Sequence, residues 1–117
     1  MTVERPNGTR FGGLSVTTEV GDDAVVVRVS GELDLATAPH LRERLAQAAG
    51  VFVPPNVVVD VEELAFCDST GLSVFTTALT GAEAAGGRLT LTGIRGQLAR
   101  VLKITGLDEK FQVRAAG

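Results

Sequence analysis

NVVVDVEELAFCDSTGLSVF, residues 56–75, is the stretch whose reading decides the fold. Its first part, Asn56 to Val61, is a valine-rich run with the β-branched composition of a central strand. Its last part opens a helix near Asp68 or Ser69, where Leu72 and Phe75 begin a helical recurrence that Leu79 and Ala82 continue. Val74, Ala78 and Ala85 widen the apolar stripe, Thr76, Thr77, Thr80 and Glu83 face out, and Gly86-Gly87 ends the helix. A strand passing directly to an amphipathic helix is the unit from which α/β folds are built.

Upstream, Leu14, Val16, Thr18 and Val20 alternate, Gly21-Asp22-Asp23 supplies a turn, and Val25, Val27 and Val29 alternate again, which predicts an antiparallel hairpin. A first helix follows, with Asp34 or Thr37 as N-cap, Pro39 in its first turn, Leu41 and Leu45 four apart, and Gly50 to stop it. His40, Arg42, Glu43, Arg44 and Gln47 form its solvated side. Downstream, Arg88 to Thr92 alternates as another strand, and Gly93-Ile94-Arg95-Gly96 turns into a third helix carrying Leu98, Val101 and Leu102 and ending near Thr105-Gly106. Leu107 to Arg114 reads as a short helical turn or a last edge segment, with Phe111 and Val113 returning to the core. The expected architecture is α/β: a small mixed sheet, antiparallel in its first hairpin and parallel after it, with crossover helices. Right-handed crossovers in a sheet growing in one direction place their helices on one face, and the alternation of the strands leaves the other face more exposed.

At 117 residues the chain is expected to form one domain over residues 14–117, preceded by a flexible tail, residues 1–13, too charged and turn-rich for a secretory signal. A single cysteine, Cys67, excludes an internal disulfide, and a single histidine, His40, argues against a metal cage, so neither metal nor cofactor is expected. A net charge of −3 with no Trp and no Tyr gives no electrostatic or stacking reason to bind nucleic acid or an anionic membrane. Without a run long enough to span a membrane, a soluble cytoplasmic protein is expected.

The chemistry concentrates at Asp68-Ser69-Thr70-Gly71-Leu72. A helix start offers unpaired N–H groups and the positive end of its dipole, which suits a carboxylate or a phosphate. Asp68 has two readings, as the helix cap or as the group that orients the Ser69 hydroxyl. Gly71 allows a close approach by another backbone, while Gly71 with Leu72 also reads as shaping and anchoring the helix start.

Four motifs in register, Gly31-Glu32-Leu33-Asp34, Val57-Val58-Val59-Asp60, Asp68-Ser69-Thr70-Gly71-Leu72, and Thr105-Gly106-Leu107 with Phe111, resemble the anti-sigma factor antagonists of the STAS domain family. The resemblance implies a bacterial regulator that binds an anti-sigma factor, itself a serine kinase, and so frees a sigma factor. It further implies phosphorylation of Ser69, the serine after the motif aspartate, with Thr70 as the lesser acceptor, and removal of the phosphate by a PP2C-type phosphatase. Asp34 would then lie near the phosphosite loop, its other reading being the cap of the first helix. Asp34, Asp60, Glu62, Glu63 and Asp68 would make the surrounding field negative. Such an antagonist would act as a monomer or weak dimer. The alternative within the family is a scaffold or regulatory subunit of a stress-sensing complex, which would travel in a very large assembly.

Other readings have less support. Catalysis by Ser69 would need His40 as base, yet no Gly-x-Ser-x-Gly elbow surrounds the serine and His40 reads as solvent-facing. Cys67, preceded by Ala65-Phe66, reads as a small buried residue rather than a redox thiol. Gly93-Ile94-Arg95-Gly96 lacks the lysine and spacing of a phosphate-binding loop.

Overall fold

The computed structural model describes residues 7–111. Six strands and three helices alternate: β1 (Asn7–Phe11), β2 (Leu14–Val20), β3 (Val25–Leu33), α1 (Ala38–Ala49), β4 (Asn56–Asp60), β5 (Leu64–Cys67), α2 (Ser69–Ala84), β6 (Arg88–Thr92) and α3 (Gly96–Thr105), followed by a 3-10 turn at Leu107–Glu109. The sheet runs β1-β2-β3-β4-β6, antiparallel through β3 and parallel beyond it. β4 and β5 occupy the same edge of β3 in tandem, β4 against Val25–Arg28 and β5 against Gly31–Leu33.

The mixed α/β sheet is as expected, with two additions. Residues 7–11, assigned from sequence to a flexible tail, form β1, which pairs along β2 from Asn7↔Thr18 to Phe11↔Leu14. Its composition misled because Asn7-Gly8-Thr9-Arg10 has no apolar alternation. An edge strand needs none, since its backbone pairs on one side only. The second addition is β5: Leu64-Ala65-Phe66-Cys67 is too short to show a period, and its pairing with β3 is made across about thirty residues of chain.

Burial follows the alternation. Val25, Val27, Val29, Val57, Val59, Leu89 and Leu91 face α1 and α2 and are buried, whereas Ser15, Thr17, Arg28 and Asp60 stand on the opposite, more open face. There Arg28 bridges Glu19 at 2.9 Å and Asp60 at 3.7 Å. α1 and α2 pack against each other over the valine face, and α3 packs against β5 and the final 3-10 turn. Phe111 is buried, as expected of a residue returning to the core; Val113 lies outside the described residues.

Two residues of α1 depart from the solvated side expected of them. Arg44 is buried and donates to the hydroxyls of Thr9 and Thr18, both at 2.6 Å, tying the helix to β1 and β2. His40 is half-buried, its ring stacked on Phe11 with centroids 3.5 Å apart and planes 5° from parallel. Both partners come from strands distant in sequence, so helical periodicity could not reveal them.

Candidate functional site

The site is built where β3 and β5 end side by side. Gly31 takes φ +94°, and a side chain there would collide with the Gly13 carbonyl 1.9 Å away. That glycine permits the irregularity between Gly31 and Glu32 that turns β3 from one neighbour to the next. The Leu33 carbonyl then accepts from the Asp68 N–H at 3.1 Å, which fixes the start of α2 to the end of β3.

Asp68 is the N-cap of α2. Its backbone is extended, its Oδ1 accepts from the Gly71 N–H at 2.9 Å, and its carbonyl takes the first intrahelical bond from Leu72 at 2.9 Å. Of its two sequence readings, capping is the one realised: the carboxylate points along the helix start, and among the described residues no hydrogen bond joins it to the Ser69 hydroxyl. Ser69 is exposed at the first helical position, while Thr70 is half-buried beside it. With Gly71 and Leu72 N–H engaged, the N–H groups of Ser69 and Thr70 remain directed out of the helix end.

Gly71 is buried, and the approach it permits is internal. A Cβ at this position would meet Leu33 Cγ at 2.6 Å and Cys67 Sγ at 3.0 Å. The expectation that it admits another molecule's backbone is therefore corrected: its open side is filled by the ends of β3 and β5. Leu72 is buried beside it and anchors the turn, as read.

Asp34 is committed to its own loop. Its Oδ1 accepts from the N–H groups of Ala36 at 3.0 Å and Thr37 at 3.1 Å, while its own N–H donates to Thr37 Oγ1 at 2.9 Å. Thr37 occupies the N-cap position of α1 and also donates to the Glu32 carbonyl at 3.0 Å. Asp34 thus shapes the turn before α1, and it stands beside the Ser69 turn because Leu33 pairs with Cys67. The wider acidic field is thinner than the sequence suggested. Asp60 ends β4, pairs with Arg28 on the open face and accepts from the Glu62 N–H at 3.0 Å, about half a strand back along β3.

One contributor carried no sequence signal. Gln97, in the first turn of α3, accepts from the Cys67 N–H and donates to the Cys67 carbonyl, both at 3.0 Å. Its amide acts as a one-residue strand on the free edge of β5, immediately before Asp68. Nothing in the spacing from Gly96 to Gln97 marks a partner thirty residues earlier. Cys67 itself is buried, and burial, with the Asp68 carboxylate adding to the effect, pushes its thiol up to about 12. It is a neutral packing group at neutral pH.

A family model described as the STAS domain matches residues 15–116. The anti-sigma-B factor antagonist of Listeria monocytogenes is 33% identical over 106 residues, covering 86% of this chain and 90% of that protein. Among solved structures, an anti-sigma factor antagonist from Mycobacterium paratuberculosis superimposes with a TM-score of 0.74 at 31% identity, over 86% of this chain and 84% of that one. The Bacillus cell fate determinant SpoIIAA in its phosphorylated form superimposes with a TM-score of 0.70 at 25% identity, over 87% and 91% of the two chains.

Proposed function

The chain belongs to the STAS domain family, and we propose that within it this protein is an anti-sigma factor antagonist whose unphosphorylated form binds an anti-sigma factor serine kinase and so releases a sigma factor. Phosphorylation of Ser69 by that kinase switches it off, and a PP2C-type phosphatase resets it. The observation that carries this reading is the placement of Ser69: an exposed hydroxyl at the first position of α2, on a turn fixed from one side by Leu33 and from the other by Gln97. The named relatives, anti-sigma factor antagonists along nearly their whole length, support it.

The physics of the switch follows from the site. A phosphate brings about −1.5 to −2 charges at neutral pH. On Ser69 it would meet the free N–H groups of the first turn and the positive end of the α2 dipole, so the fold tolerates it. Asp68, half-buried, caps the same turn and Asp34, also half-buried, lies on the neighbouring loop, and the added charge beside them opposes any partner surface shaped for the neutral serine. Thr70, half-buried, is the poorer acceptor.

The test is to incubate the protein with candidate anti-sigma kinases and ATP, locate the added mass, and compare variants in a pull-down. Ser69→Ala is expected to hold the kinase permanently and Ser69→Asp to hold it poorly. Equal retention of the two variants, or phosphate found elsewhere, would sink the proposal.

A further inference from the structure

Between α1 and α2, away from Ser69, the packing leaves a groove of about 460 Å³. Its floor is Val57 and Leu89, and its walls are the small side chains of Ala46, Ala49, Ala78 and Ala82. The space exists because both helices present alanine and glycine where larger residues would close it; a Cβ on Gly81 would meet nothing within 4 Å. The volume lies within the roughly 300 to 1,000 Å³ of small-molecule sites, and mostly apolar walls with few polar groups are their usual character.

Its charge is placed at one end. α1 and α2 follow parallel strands, β3 and β5, and so run in the same sense, which sets Arg42 and Val74 toward one mouth, with Thr77 a turn further in, and Gly50, Pro55 and Ala85 toward the other. Arg42 is exposed and has no hydrogen-bond or ion-pair partner among the described residues. Thr77 is exposed and lines the same groove.

We propose that this groove binds a medium-chain alkyl carboxylate, its chain along the alanine walls and its head on Arg42 with Thr77. The single cation of the lining selects an anionic head, and the apolar walls of alanine, valine and leucine select an alkyl chain. A phosphorylated or unphosphorylated Ser69 plays no part in recognition, so this site stands or falls independently of the switch.

Titration of the full-length, isotope-labelled protein with sodium decanoate below micelle formation tests it. Saturable amide shifts confined to the facing sides of α1 and α2 are expected. Arg42→Glu should weaken binding about tenfold, as loss of a charge-assisted hydrogen bond does, and Arg42→Lys should keep most of it. Ala78→Phe should fill the groove and abolish binding; because Arg42 is exposed, its variants report even where that one misfolds. The proposal is overturned by the absence of saturable shifts, by shifts centred outside the groove, or by decyltrimethylammonium binding as tightly as decanoate. Self-association that covers the same residues in the absence of any ligand overturns it too.

Discussion

At the phosphosite three consecutive residues have separate tasks: Cys67 packs, Asp68 caps and Ser69 is presented. The cap is worth about 1 kcal/mol to α2, and it also keeps the Asp68 carboxylate turned along the helix instead of onto the serine hydroxyl. Cys67 is withdrawn by burial. Its thiol, pushed up to about 12, should react with a disulfide reagent far more slowly in the native protein than after unfolding. The sign of the pH effect follows. The unfolded thiol ionises near its ordinary value of 9.0 and the folded one only near 12, so the stability tied to a neutral Cys67 is complete below about pH 9 and is lost as pH rises toward 12. Chemical denaturation across that range should show the decline, and Cys67→Ala should flatten it; a native thiol as reactive as an unfolded one would contradict this account. Sequence alone placed Ser69 and Asp68 at a helix start because caps are local. It left Asp68 with two roles, since the direction of a carboxylate is settled by which N–H groups the fold brings to it.

Among the elements, β5 and α3 decide how firmly the Ser69 turn is held. β5 has a neighbour on one side only, and the Gln97 amide supplies the missing pair of hydrogen bonds on the other. Gln97→Leu keeps the volume and removes both bonds, leaving a partly buried N–H unpaired, and is expected to cost about 1 to 3 kcal/mol. Hydrogen exchange should locate the effect: faster exchange at the Cys67 amide with helical protection in α2 retained. An unchanged Cys67 amide would show the latch to be inconsequential. Strands β2, β3, β4 and β6 and all three helices were legible because each carries a full period of its own. β1 and β5 were not, since one is polar and the other four residues long, and both form by pairing with a neighbour instead of by burying a face.

For the molecule as a whole, β1 matters through what it covers. It pairs the outer edge of β2, places Phe11 on His40 and brings Thr9 to the buried Arg44. Deleting residues 1–12 should therefore lower the melting temperature, by about 4 °C for each kcal/mol lost in a domain of this size; an unchanged transition would reduce β1 to a decoration of the edge. No described helix is long and apolar enough to cross a membrane. The sequence by itself determined the α/β class, the order of the main elements, the sidedness of the sheet and the serine at a helix start, because periodicity and capping are properties of neighbouring residues. Only the tertiary structure decided that β4 and β5 share one edge of β3, that Gly71 is closed by Leu33 and Cys67, that Gln97 completes β5, and that a groove lies between α1 and α2. Each of those depends on groups thirty or more residues apart, or on space left between two helices, and the free energy of such contacts is set by the packing of the whole chain.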